Sequence, residues 1–218
     1  FLDDIFETYI HRNEKLKYIL QYNKNNLPLN VAAENERGMP ADRLNDGWWK
    51  MMFLRYALAM HFSKDKKVLE SCSGLGWGAF LLEDISSSLT CIEIDQKSIE
   101  VSQRLWPFKK TRFVKGSVLS MPFGDGSFDV VSAMENIEHF ELENIKQYLD
   151  EVRRVLKPGG ILVGSSFFAD NSEEARKICQ ENKHHLHICT KSEISVLLKE
   201  RFKKIKLFAN SLFFWATD

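Results

Sequence analysis

The stretch Val68-Leu-Glu-Ser-Cys-Ser-Gly-Leu-Gly-Trp-Gly78 most constrains what this chain can fold into. A short apolar run ends in an acid, a glycine-rich turn follows, and Ala79–Asp84 continues as a helix. Strand, glycine turn and helix in that order build a corner that receives a nucleotide. Glycine lets the backbone pass close to a ligand, and the helix N-terminus offers N–H groups without intrahelical partners. Gly74-x-Gly76-x-x-Ala79 also satisfies a dinucleotide fingerprint, so the residues downstream decide which ligand is meant.

From Lys67 onward the pattern alternates strand and helix. Strands are expected at Lys67–Ser71, Leu89–Ile94, Thr111–Lys115, Phe128–Ala133 and Ile161–Phe167, the last entered through the turn Lys157-Pro-Gly-Gly160. Helices are expected at Gln96 to about Trp106, Leu142–Leu156 and Lys191–Arg201. Two closing runs, Lys204–Ala209 and Leu212–Thr217, are separated only by Asn210-Ser211 and read as a hairpin. Alternation of this kind means a mostly parallel sheet with helices on both faces, and the hairpin makes one strand antiparallel. Upstream, residues 1–24 read as one amphipathic helix, broken by Asn23–Pro28, and Arg43–His61 as a second, with Asp42 as its cap. Residues 1–62 are therefore expected to form a helical cover and 63–218 the α/β domain, in one compact unit.

Charge narrows the class of ligand. Lys and Arg total 30, as do Asp and Glu, so the formal net charge is zero and no broad electrostatic footprint for nucleic acid exists. The basic run Lys199–Lys206 reads as a solvated helix end entering a strand. The four cysteines, Cys72, Cys91, Cys179 and Cys189, form no CxxC pair and fit reduced thiols. With no signal-peptide pattern and no apolar run long enough to cross a bilayer, a cytoplasmic setting is expected.

Glu93 lies about 20 residues beyond the first glycines, where an acid at the end of the second strand accepts both hydroxyls of a ribose. A loop after the third strand, Phe113-Val-Lys-Gly-Ser-Val-Leu-Ser-Met-Pro-Phe123, is placed to reach a base through Ser117 and the N–H of Val118.

Four motifs in order, Val68–Gly78, Thr90-Cys-Ile-Glu-Ile-Asp95, Met121-Pro-Phe-Gly-Asp-Gly-Ser-Phe-Asp-Val-Val131 and Leu156-Lys-Pro-Gly-Gly-Ile-Leu162, resemble the class I S-adenosylmethionine-dependent methyltransferases. The resemblance covers about Lys67 to Asp218. It implies a Rossmann-like seven-stranded sheet, mostly parallel, with an antiparallel C-terminal hairpin. It also implies S-adenosyl-L-methionine bound by Glu70, Cys72, Gly74, Gly76, Glu93, Ile94, Ser117, Val118 and Met134. Two positions depart from the family: Cys72 stands where Gly is usual, and Ser117 where Asp is usual, which removes charge assistance from a bond to the adenine.

The second functional signal is Glu135-Asn-Ile-Glu138-His139. If a helix begins after the fourth strand, residues three and four apart share a face, and Glu135, Glu138 and His139 point together. The string is similar to that of metal-dependent O-methyltransferases acting on small RNAs and in ubiquinone synthesis. That likeness implies Mg²⁺ or Mn²⁺ held by Glu135, Glu138, His139 and a fourth ligand, His185 before His187, from the insertion after the fifth strand. The metal-free alternative keeps His139 as a general base, with Glu138 pairing on a helix. In the N-terminal cover, Arg37 could meet the donor carboxylate. Trp48 and Trp49 could line a substrate mouth, although helix packing is the better explanation of both. Glu36-Arg-Gly-Met-Pro40 is similar to a string in bacterial glycan methyltransferases.

The expected activity is SN2 methyl transfer to a hydroxyl of a small molecule, a quinone precursor or a sugar. The alternatives are a metal-independent N- or C-methyltransferase, a non-catalytic partner subunit suggested by Cys72 and Ser117, and a nicotinamide oxidoreductase, against which the terminal hairpin counts.

Overall fold

The computed structural model describes residues 2–11, 13–22, 39–40, 48–208 and 213–218. Arg37, Asp42, the Asn23–Pro28 break, most of Glu36–Pro40 and the Asn210-Ser211 turn lie outside them. The described strands make a seven-stranded sheet in the order β3-β2-β1-β4-β5-β7-β6. The chain divides into two compact units, Phe1–Lys115 and Gly116–Asp218.

In the first unit, β1 (Lys67–Ser71), β2 (Ser88–Glu93) and β3 (Thr111–Lys115) pair in parallel, β2 in the middle. The expected single N-terminal helix is instead α1 (Leu2–Phe6), one π-helical turn (Glu7–His11) and α2 (Glu14–Ile19). The interruption has a local cause: the Asn13 side chain accepts the Lys15 N–H and starts a new helix there. The helix α3 (Trp48–Ser63) precedes β1. Its Trp49 packs edge-on against Phe53, and Arg55 lies over the Trp48 ring. α4 (Trp77–Ile85) follows the glycine corner, and α5 (Gln96–Leu105) is capped by Asp95, which accepts the Lys97 N–H.

α2 is anchored by aromatic contacts and charge. Tyr18 meets Phe80 and Trp106, and its hydroxyl donates to the Leu105 carbonyl at 3.1 Å. Lys15 lies over the Phe80 ring and pairs with Asp84 at 3.0 Å. Glu83, buried in α4, accepts the N–H groups of Lys109, Lys110 and Thr111 and the Thr111 hydroxyl, which fixes the entry to β3.

In the second unit, β4 (Phe128–Met134) is apolar and buried almost throughout, as a strand covered on both faces must be. It pairs in parallel with β5 (Leu156–Ser165). The Lys157–Gly160 turn does not precede β5 but is absorbed into it as a bulge. The pairing jumps from Phe128↔Leu156 to Val130↔Ile161, and Gly159 sits at φ 72°. α6 (Leu142–Val155) buries Ile145, Tyr148, Leu149, Val152 and Val155, a helical stripe. The insertion contains α7 (Ser172–Glu181), capped by Asn171 and not expected from the sequence. α8 (Lys191–Lys199) follows, and β6 (Lys204–Phe208) and β7 (Phe213–Thr217) close the chain, β7 antiparallel to both β5 and β6. Lys204 and Lys206 lie on edge strand β6, where charge discourages pairing with another chain. Among the described residues, no helix is long and apolar enough to cross a membrane.

Candidate active site

The glycine corner is built by backbone strain placed where glycine tolerates it. Cys72, Gly74 and Gly76 all adopt positive φ, at 53°, 53° and 76°. Cys72, the departure from the family pattern, therefore occupies the left-handed region, which costs an L-residue about 1–2 kcal/mol. A Cβ on Gly76 would stand 1.8 Å from the Ser102 Oγ, so packing as well as φ demands glycine there. At Gly74 the nearest heavy atom to such a Cβ among the described residues is the Cys72 carbonyl oxygen at 4.0 Å, so none of them fills the space beside this backbone. The Trp106 indole N–H donates to the Leu75 carbonyl at 2.6 Å and holds the loop from behind.

Glu93 is buried at the end of β2 and accepts the Gly74 N–H at 2.8 Å and the Asp95 N–H at 3.0 Å. Ile94, directly after it, is 66% exposed, an apolar side chain presented beside a strand-end acid. Glu70 is buried at the end of β1 and accepts the Tyr56 hydroxyl at 2.7 Å. Burial, with Glu70 beside it, holds the Tyr56 phenol well above its ordinary pKa, so it stays a donor. Sequence reasoning missed Tyr56, because nothing in a mostly apolar helix marks one tyrosine as the partner of a strand acid. These residues fit the implied donor: an open cradle at Gly74, a carboxylate aligned with it, and an apolar neighbour for a base.

Ser117, Val118 and Met134 belong to the second unit. Ser117 accepts the Leu119 N–H at 3.2 Å, and Val118 is buried. The loop that follows is clamped by Arg154. Its guanidinium donates to the carbonyls of Met121 and Phe123 and to Asp125 and Glu151, while Glu151 accepts the Met121 N–H. The Arg154 hydrogen bond holds the Glu151 carboxyl below its ordinary range.

The Glu135–His139 segment is not the helix the sequence reading assumed. Glu135 sits outside any helix at φ 52°, and only Ile137–His139 forms a 3₁₀ turn. The carboxylates are aligned from β5 and the residue after it: the Ser165 hydroxyl donates to Glu135 at 2.8 Å, and the Ser166 hydroxyl to Glu138 at 2.7 Å. His139 Nδ1 lies 3.0 Å from the His184 carbonyl oxygen. A carbonyl only accepts, so Nδ1 carries the proton and the lone pair of the neutral ring is on Nε2.

His185 packs against His139, ring centroids 5.6 Å apart. Asn182 accepts the His184 N–H through its Oδ1, so its Nδ2 faces His185 Nε2, at 3.1 Å. The His185 lone pair is thus engaged by Asn182. Glu135, Glu138 and His139 offer two carboxylates and an imidazole, a donor set suited to Mg²⁺ or Mn²⁺. The described group whose three ligand atoms lie within 4.8 Å of one another is a different one: His187, Cys189 and Glu193.

An open α/β sheet with a glycine corner, an acid at the end of β2 and an antiparallel β7 is the architecture of the class I S-adenosylmethionine-dependent methyltransferases, and similarity to known proteins supports that class for this chain. Within that class, residues 69–164 match the methyltransferase domain family. A Mycolicibacterium smegmatis protein described as a probable S-adenosylmethionine-dependent methyltransferase is 29% identical over 142 residues, 65% of this chain and 54% of that protein. A demethylmenaquinone methyltransferase of Staphylococcus epidermidis is 33% identical over 111 residues, 48% of this chain and 44% of that protein. The chain spans about half the length of these curated relatives. The crystal structure of the YcgJ protein of Bacillus subtilis shares the fold, with a TM-score of 0.65 and 19% identity over 71% of this chain and 70% of that one.

Proposed function

We propose that this chain transfers a methyl group to a hydroxyl of a small molecule, with a quinone precursor as the favoured acceptor class and His139 as the base. The observation that carries this reading is the His139–His184 contact, which keeps the lone pair of the neutral ring on Nε2. The name of the staphylococcal relative, a demethylmenaquinone methyltransferase, supports a quinone acceptor but not the choice of oxygen over carbon.

S-adenosylmethionine, when bound, supplies a methyl already activated on a sulfonium sulfur. Gly74 and Gly76 would let the backbone approach its methionine part, Glu93 would accept the ribose hydroxyls, and Ile94 would cover the base. Glu70, with its charge oriented by Tyr56, faces the amino acid end. His139 Nε2 would take the proton of the acceptor's hydroxyl as that oxygen is methylated. Glu135 and Glu138 stabilise the resulting imidazolium, or hold a divalent ion if one is required.

The test is methyl transfer from labelled S-adenosylmethionine to catechols, hydroquinones and diols, beside amines. Ether formation by the wild type and its loss in His139→Ala, with S-adenosylhomocysteine binding retained, is the expected result. Methylation of amines or carbon alone, or full activity in His139→Ala, overturns it. A second reading, a donor-binding subunit without turnover, is favoured by the strain at Cys72 and predicts binding with no product from any acceptor.

A further inference from the structure

We propose that His187, Cys189 and Glu193 bind one zinc-class ion at a site separate from Glu135, Glu138 and His139. The geometry is built by two short-range devices. The Thr190 side chain caps α8 by accepting the Glu193 N–H, which folds the first turn of α8 back beside His187. Cys189 is pinned from the other side, where its carbonyl accepts the Ala169 N–H and the Lys191 N–H donates to the Ala169 carbonyl. Ile188, between the two candidate ligands, packs with Ala169 and Ala175. The result is His187 Nε2 2.9 Å from Glu193 Oε2, with the Cys189 sulfur and both other ligand atoms all within 4.8 Å of one another.

Sulfur, imidazole nitrogen and carboxylate oxygen are the zinc donor set, and ligand atoms around tetrahedral zinc stand roughly 3–4 Å apart. The observed cluster, within 4.8 Å, is close to that spacing. A bare ion pair between His187 and Glu193, at 29% and 31% side-chain exposure, is worth at most about 1 kcal/mol and needs no thiol beside it. Cys189 is almost completely buried, and burial together with Glu193 raises its thiol pKa, so without metal it stays an S–H bonded to Glu193. Binding releases the thiol proton to solvent and moves the imidazole proton from Nε2 to Nδ1. A cavity of about 490 Å³, lined in part by His187, Glu193 and Cys179, leaves room for a water as fourth ligand.

The site would act on its neighbours by stiffening them. Leu186 N–H donates to the Glu138 carbonyl at 2.9 Å, and His184 holds His139, so the segment tied down by the ion is the one that supports the catalytic candidates.

The test is spectroscopic and independent of turnover: Co²⁺, then Zn²⁺, titrated into reduced, metal-free protein. One equivalent of Co²⁺ should give tetrahedral d–d bands with a thiolate charge-transfer band, and Zn²⁺ should abolish both. Cys189→Ser should remove the charge-transfer band. His187→Ala should weaken binding by at least about tenfold. Cys179→Ser and His139→Ala should leave the spectrum intact. Because Cys189 is buried, His187→Ala, at a partly exposed position, keeps the test decisive if Cys189→Ser fails to fold. Co²⁺ binding without a thiolate band, a band that survives Cys189→Ser, or unchanged affinity in His187→Ala overturns the proposal.

Discussion

The glycine corner allows fold stability and donor binding to be separated by two alanine substitutions two residues apart. In Gly76→Ala the new Cβ would stand 1.8 Å from the Ser102 Oγ, 2.8 Å from the Ser102 Cβ and 3.3 Å from Trp106, at φ 76°. Ser102 and Trp106 are buried and have nowhere to swing. The left-handed backbone costs about 1–2 kcal/mol and the overpacking about 1–3 kcal/mol. The smaller unfolded-state entropy of alanine returns about 0.4–1 kcal/mol. A net loss of about 2–4 kcal/mol lowers Tm by roughly 5–15 °C for a chain of this size. Gly74→Ala has the same backbone problem at φ 53° but meets nothing closer than 4.0 Å among the described residues. Its net cost is at most about 1.6 kcal/mol, a Tm change within about 6 °C. Its methyl instead fills the open space beside the N–H that faces Glu93, and affinity for S-adenosylhomocysteine should fall at least about tenfold, or 1.4 kcal/mol. Thermal melts followed by circular dichroism, with calorimetric titration of S-adenosylhomocysteine, read both quantities. Equal destabilisation by the two substitutions, or wild-type affinity in Gly74→Ala, would refute the reasoning.

Cys72→Gly relieves the left-handed strain and should raise stability by up to about 1 kcal/mol in denaturant melts, with donor affinity maintained or improved. Glu93→Gln should weaken S-adenosylhomocysteine roughly 10- to 100-fold, the worth of a charged hydrogen-bond acceptor, measured by calorimetry. His139→Ala should lower methyl transfer by about 10²–10⁴-fold while leaving donor affinity within about twofold. Glu83 supplies a pH test. Burial alone would raise its pKa, but hydrogen bonds from Lys110, Thr111 and Lys109 outweigh it, and the folded-state value is depressed. Its contribution is therefore complete above the ordinary carboxylate value of 4.5 and lost as pH falls through the folded value. Urea melts should show wild type and Glu83→Gln differing most near neutrality and converging in acid.

Much of the scaffold was legible because its signals are local. The strand limits of β1 and β3 agree with the sequence reading residue for residue, since apolar runs bounded by turn residues mark them directly. Asp95 and Asn171 illustrate the contrast in caps. Both act through their own next residues, yet α7 was missed because its apolar stripe is short, Ala175, Ile178 and Cys179, in an otherwise polar segment. The first helix was misread for a related reason: periodicity runs through Asn13, and the cap that breaks it is one side chain.

The sequence by itself determined the order of elements, the glycine corner and the identity of the acid after β2, because steric limits on φ and the period of apolar residues act between near neighbours. Only the tertiary structure decided which partner each polar group takes. Glu93 meets Gly74 across 19 residues, Glu138 meets Ser166 across 28, and His139 meets His184 across 45. Even the closely spaced trio of His187, Cys189 and Glu193 converges only because a cap at Thr190 and a bridge to Ala169 turn the chain back on itself. Such pairings follow from packing and the satisfaction of buried polar groups, which no short-range pattern encodes.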